Sequence, residues 1–132
     1  MTSHVSPSER GMRAFKEVSR SGPIQMLNLI RLADTVPGSD GHPQSGAQAY
    51  HTYEQKVGPV LQAYGGKVIW RGQPEAMLIG PDEGEEWDMA FIVEYPDAQS
   101  FVAMISDPDY QRAATHRSAA VENSRLIRMA PL

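Results

Sequence analysis

From Trp87 to Tyr95 the chain alternates: Trp87, Met89, Phe91, Val93 and Tyr95 fall on one side of a strand, and Asp88, Ala90, Ile92 and Glu94 on the other. One face is bulky and apolar throughout while the second is mixed, which is the pattern of a central strand with helices packed on a single side. Pro96 ends it. The run IQMLNLIRL, Ile24 to Leu32, is almost continuously apolar and reads as a buried first strand. From Ala47 the spacing turns helical, because Tyr50, Tyr53, Val57, Leu61 and Tyr64 share one arc at about 100° per residue, and Gly65 and Gly66 supply the stop. Pro59 inside this helix predicts a kink where the bond to the Gln55 carbonyl is lost.

Strand KVIWRG, Lys67 to Gly72, follows, and a short stretch at Ala76 to Ile79 is expected to extend it past Pro74. Gly80 to Glu86 then turns the chain back into the Trp87 strand. Beyond Pro96, Asp97 caps a helix that carries Ala98, Phe101, Val102 and Ile105, and Asp107 with Pro108 caps a second helix running to about Asn123. The last strand is Arg125 to Met129. Upstream, Ser6, Pro7 and Glu9 stand as N-cap, first helical residue and capping-box acid ahead of Met12, Phe15 and Val18. Ala33 to Gly46, rich in Gly, Pro, Ser and Asp, reads as a loop, either a lid or a disordered connection.

These elements give an N-terminal helical extension over residues 1–22 and a domain over residues 23–132 with the order β-α-β-β-α-β. That order is an α+β, ferredoxin-like arrangement, an antiparallel sheet with helices on one face. The uncovered face, with Ala90 and Ile92 among charges, is expected to be buried by dimerisation.

Composition narrows the function classes. The chain has 132 residues, enough for one domain with its own core, and no cysteine, which excludes disulfides and thiolate metal sites. A net charge of -4 with both signs interspersed argues against nucleic acid or an anionic membrane as partner. The first twenty residues have no apolar run, and no stretch approaches the roughly 20 apolar residues of a membrane span, so a cytoplasmic protein is expected. His4, His42 and His51 lack ligand spacing, the glycines form no phosphate loop, and no GxSxG is present, so neither a metal nor another cofactor is implied.

Candidate chemistry lies where the pattern buries polar groups. Arg117 falls at the centre of the arc defined by Tyr110, Ala113, Ala114, Ala120 and Val121, so a guanidinium is aimed at the core. It requires a carboxylate such as Glu94 or Asp88, several carbonyls, an anionic ligand, or a route for snorkelling to solvent. His116, at the edge of that arc, is a candidate general base at a pocket rim or a plain surface or dimer-contact histidine. Asn28 interrupts the first strand on the face of Met26 and Ile30, where backbone, water or a ligand must satisfy its amide. Tyr53 and Trp70 are core residues or walls of the same ligand site.

The segments MLNLIR, AYHTYEQKVGPVLQAYGGKVIWRG, WDMAFIVEYPDAQSFVAMISDPDYQ and HRSAAVENSRLI resemble the dimeric α/β-barrel superfamily and, within it, the family known as domain of unknown function 1330. The resemblance runs from about Pro23 to Met129 and rests on the Tyr-x-x-Tyr helix ending in Gly-Gly, the strand ending in Tyr-Pro, and the Asp-Pro-x-Tyr helix ending in His-Arg. It implies a homodimer with a pocket between sheet and helices in each protomer, and no established reaction. Two functions are compatible with it. One is a module that binds a small organic or anionic molecule in that pocket. The other, by analogy of fold alone, is a cofactor-independent monooxygenase or isomerase acting on an aromatic or carbonyl compound.

Overall fold

In a computed structural model of the protein, residues 3–38 and 40–132 are described. The elements in chain order are α1 (Glu9–Glu17), β1 (Ile24–Leu32), β2 (Thr35–Pro37), β3 (Pro43–Ser45), α2 (Gly46–Ala63), β4 (Lys67–Gly72), β5 (Met89–Tyr95), α3 (Ala98–Ser106), α4 (Pro108–Ala120) and β6 (Val121–Met129). The main sheet has the order β4-β5-β1-β6, every neighbouring pair antiparallel. This is the ferredoxin-like arrangement expected from the sequence.

The register sorts the side chains. Ile24, Met26, Asn28 and Ile30 stand opposite Tyr95, Val93, Phe91 and Met89, so these alternate positions share the face that the helices cover. Two packed clusters form beneath those helices. Ile24, Met26, Val93 and Tyr95 meet Phe101 and Met104 of α3, while Ile30 meets Tyr50 of α2 and Ala120 at the end of α4. On the opposite face Leu27 and Leu29 pair with Ile92 and Ala90 of β5 and with Ile127 and Arg125 of β6, and no helix lies over them.

Several boundaries differ from the sequence expectation. The cap of α1 is Ser8, whose hydroxyl accepts from the Gly11 amide, and Ser6 and Pro7 precede the helix. Within Ala33 to Gly46 the chain forms the β2–β3 hairpin, Thr35 opposite Ser45, closed by the Gly38 amide on the His42 carbonyl at 2.9 Å. Val36 provides its anchor, buried in the second cluster. A Cβ on Gly38 would sit 2.3 Å from the His42 carbonyl oxygen, which is why glycine stands there. Ala76 to Ile79 is not a strand: Met77, Leu78 and Ile79 are exposed in the connection between β4 and β5. The β5 strand starts at Met89 and not at Trp87. The α4 helix ends at Ala120, and β6 begins at once with Val121, because Val121, Asn123 and Ser124 pair with Leu32, Arg31 and Ile30 of β1, with Glu122 set out by a register shift.

Caps explain the remaining breaks. Ser45 and Gln48 form a reciprocal capping box at the start of α2. The helix runs through Pro59, whose predecessor is Gly58. With no Cβ at position 58, the contact that normally excludes helical backbone before proline is relieved. Asp97 accepts from the Ser100 amide to start α3, and Asp107 from the Asp109 amide to start α4.

Candidate functional site

Between the helix-facing side of the sheet and α1, α2, α3 and α4 lies a cleft of about 1140 Å³. Its floor is apolar, with Met26, Phe91 and Val93 from the sheet and Val57, Leu61 and Met104 from the helices. Polar groups stand at defined places on these walls. Tyr50 and Tyr53 project from successive turns of α2, their ring centres 5.3 Å apart, and Tyr110 approaches from α4.

Tyr50 is only 3% exposed, yet its hydroxyl bonds to none of the described residues, and no side-chain oxygen or nitrogen among them is both enclosed and unpartnered. The hydroxyl therefore reaches open space, and the open space it borders is the cleft. The same holds for Tyr53. Burial pushes the phenols of Tyr50 and Tyr53 well above their ordinary range; for Tyr50 the Arg117 charge acts the other way, and for Tyr53 the neighbouring Tyr110 and Tyr50 add to the rise. Both stay protonated at neutral pH and can donate a hydrogen bond into the cleft.

The charged lining is one-sided. Arg20, Arg71, Arg117 and Arg128 border the cleft beside a single carboxylate among the described residues, Glu54, in a chain whose net charge is -4, while Arg125 sends its side chain to the uncovered face with Leu29. Arg71 is paired with Glu54 at 3.1 Å and Arg125 with Glu85 at 2.7 Å. Arg117 has no carboxylate partner among the described residues: its Nη1 donates to the Val5 carbonyl at 2.6 Å and its Nη2 to the Ser124 hydroxyl at 3.3 Å. Glu94 and Asp88, considered as its partners from sequence, are engaged elsewhere, Glu94 with the Gln25 amide and Asp88 with the Leu32 N–H. Arg128 likewise donates only to carbonyls, those of Phe15 and Arg20, and burial draws its pKa down, with Arg20 adding to the effect.

Of the residues singled out in the sequence, Asn28, Tyr53 and Arg117 line this one cleft. The Asn28 amide nitrogen donates to the Met26 carbonyl at 3.1 Å. His116 lies outside the cleft lining, one residue before Arg117 and turned from it by about 100° of helix. Trp70 is on the other side of the sheet. A register shift between Val68 and Trp70 sets Val68 opposite Val93 and Arg71 opposite Phe91, on the cleft face, whereas Trp70 pairs with Ile92 on the uncovered face. The Trp70 ring there is 52% exposed.

Two groups of cleft residues were missed in the sequence. Tyr50 and Tyr110 were assigned to the apolar arcs without a polar role, although each carries a hydroxyl that a fully apolar core would leave unsatisfied. The segment from His4 to Val18 was treated as a separate extension, yet it forms one wall of the cleft. Its placement rests on bonds from the His4 amide to Asn123, from the Ser124 hydroxyl to the His4 carbonyl, and from Arg128 to the Phe15 carbonyl. Nothing local signals these pairings. Among the described residues no group of three or more His, Asp or Glu side chains is placed to hold a metal, and no helix is long and apolar enough to cross a membrane.

Residues 45–130 match the family described as domain of unknown function, DUF1330. Among solved structures, a protein of unknown function from Rhodopseudomonas palustris, RPA0582, is similar at 50% identity over 99% of this chain and 98% of its own, with a TM-score of 0.89. That similarity includes the N-terminal segment and the β2–β3 hairpin, which lie outside the family match. A dimeric ferredoxin-like protein of unknown function from Thermobifida fusca is 18% identical over 85% of this chain and 93% of its own, TM-score 0.56. A protein of the dabb family from Mesorhizobium loti is also 18% identical, over 84% and 98%, TM-score 0.56. These two establish the fold alone. A search among curated proteins found no match.

Proposed function

We propose that this chain, which belongs to the DUF1330 family, is a homodimeric binding module that holds a small organic molecule in the cleft between sheet and helices of each protomer. The observation that carries this reading is the pair of tyrosines, Tyr50 and Tyr53, lining a cleft of about 1140 Å³ with hydroxyls that bond to none of the described residues. Buried polar groups are ordinarily paired, and two phenols left open on an apolar-walled cleft are placed to bond something that enters it. Asn28 and Arg117 border the same space.

Dimerisation has independent support. Leu27, Leu29, Ile92, Ile127 and Trp70 lie on the sheet face that no helix covers, with Ile127 47% and Trp70 52% exposed. An apolar sheet face of this kind needs a cover. The Thermobifida fusca relative is described as dimeric, which fits a second copy as that cover.

The tyrosines of the cleft suit holding a ligand through donated hydrogen bonds. His116, the candidate general base, is not in the cleft, and Tyr50 and Tyr53 have pKa values driven up, so they donate protons in hydrogen bonds and do not accept them at neutral pH. The other candidate bases in the lining are Glu54, which is paired with Arg71, and His4, so a monooxygenase or isomerase acting on an aromatic or carbonyl compound is the alternative reading.

Native mass spectrometry of the full chain purified from its own cells tests the proposal. A dimer that carries one small molecule per protomer, released on denaturation, is the expected result. A monomer with no retained mass, unaffected in its melting by any small molecule offered, would overturn it.

A further inference from the structure

The polar groups at one end of the cleft show a substitution that the chain makes on itself. Arg117 is half-buried on α4, and a guanidinium in that setting normally meets a carboxylate, whose charge-assisted bonds are roughly twice as strong as those to a neutral acceptor. Its partner here is the backbone carbonyl of Val5, at 2.6 Å. The carbonyl belongs to a segment whose apolar packing is partial, Val5 against the second cluster and Phe15 against the first. The α1 helix contains no buried residue, and the polar anchors of residues 4–8 near this end are the His4 amide on Asn123, the Ser124 hydroxyl on the His4 carbonyl, and Arg117 itself. Tyr50, Tyr53 and Arg117 all border the same space, and the walls leading away from them, Met26, Val57 and Phe91, are apolar.

We infer that the ligand of this cleft is a carboxylate with an apolar body, and that its carboxylate takes the place of the Val5 carbonyl on Arg117, so that ligand and N-terminal strap compete for one guanidinium. This rests on the reading of the cleft as a small-molecule site and names both the ligand class and what binding does to the fold. The charge argument favours exchange, because a carboxylate offers two anionic oxygens to a planar fork that now donates to two neutral ones, the Val5 carbonyl and, at 3.3 Å, the Ser124 hydroxyl. The phenols of Tyr50 and Tyr53, held protonated by burial, add donors to the same oxygens. The apolar body lies along the floor of the cleft. Arg71 and Arg125, already paired with Glu54 and Glu85, are not open to the same exchange.

The test uses the full chain with phenylacetate, indole-3-acetate and decanoate, each beside its uncharged primary amide. Calorimetry reads affinity and hydrogen exchange reads the amides of residues 4–8. At least one acid should bind at least about tenfold more tightly than its amide, the scale expected for a charged hydrogen bond, and should speed exchange at residues 4–8 severalfold. In Ser124→Ala, which releases both the His4 carbonyl and the Nη2 of Arg117, the same acid should bind severalfold more tightly because the competing strap is weakened and the guanidinium is freer. In Arg117→Met the preference for acid over amide should vanish, and the strap should exchange fast without ligand. If Arg117→Met does not fold, Ser124→Ala carries the test alone.

Amides that bind as well as their acids would overturn the carboxylate assignment and leave the small-molecule reading standing. An acid that binds with no change in strap exchange, or with unchanged affinity in Ser124→Ala, would overturn the competition. Failure of all six compounds to bind, with a different molecule retained by the native protein, would remove this inference and keep the proposed function. If no molecule of any kind is retained or bound, both fall.

Discussion

The Arg117 guanidinium donates to the Val5 carbonyl at 2.6 Å, joining residues 112 positions apart and tying the N-terminal segment to α4 across the mouth of the cleft. Among the described residues no carboxylate depends on this arginine. Removing it therefore orphans a carbonyl and not a buried charge, and the two cases differ in size.

Arg117→Met should lower stability by about 1.5–3 kcal/mol, the worth of a hydrogen bond to a charged donor. Guanidinium chloride unfolding monitored by circular dichroism gives the value. A loss of roughly 3–5 kcal/mol would mean that a buried acid relies on Arg117.

Tyr53→Phe and Tyr50→Phe delete hydroxyls that bond to none of the described residues. Each variant should match the wild-type melting temperature or exceed it, because no intramolecular bond is lost and a polar group leaves a mostly apolar wall. Ligand affinity should fall in both. A drop of several degrees in the melt of the empty protein would show that these hydroxyls are satisfied within the fold.

Tyr64 donates to the Asp107 carboxylate at 2.6 Å, fastening the end of α2 to the junction of α3 and α4. This bond, followed by that from the Asp109 amide, holds the Asp107 carboxyl below the usual carboxylate range. A depressed folded-state pKa stabilises the fold above the unfolded value of about 3.9, and that contribution disappears as the pH falls through the lower folded value. Tyr64→Phe should therefore melt below wild type at neutral pH. The gap should close in acid, under about pH 4. Melts recorded from neutral to strongly acidic buffer check it, and a gap that stays constant throughout would show that the Asp107 charge plays no part.

Gly46 opens α2 against the backbone of β1's exit. A Cβ there would meet the Ala33 carbonyl oxygen at 1.9 Å, so Gly46→Ala forces two backbone segments apart. A cost of about 1–3 kcal/mol is expected, as for other overpacked sites. Chemical denaturation measures it; an unchanged midpoint would mean that the turn between Ala33 and Gly46 yields easily.

Ile92→Arg places a charge at the centre of the uncovered sheet face, opposite Leu27 and Trp70. Sedimentation should show the dimer replaced by a folded monomer, since an interface of the usual ~1,200–2,000 Å² does not tolerate an unpaired buried cation. A dimer that survives the substitution would locate the interface elsewhere.

Local pattern was enough for the elements and their order. The alternation of Met89, Phe91, Val93 and Tyr95, the apolar run of Ile24 to Leu32, and the caps at Ser45, Asp97 and Asp107 each act within a few residues, and the ferredoxin-like sheet follows from them. The same local reading placed Asn28, Tyr53 and Arg117 on inward faces, because a face is a matter of period. It could not say what each meets. The register shift between Val68 and Trp70 carries Trp70 to the opposite side of the sheet, and that shift exists only in the pairing with β5. Val121 and Asn123 fall in the stretch that reads as helix by spacing and become strand because β1 offers them partners. Arg117 meets Val5, and Arg128 meets Phe15, through contacts between chain segments more than a hundred residues apart. Period and capping are properties of neighbours along the chain; register and the partner of a buried charge are settled only when distant segments compete for the same space, and that competition is tertiary.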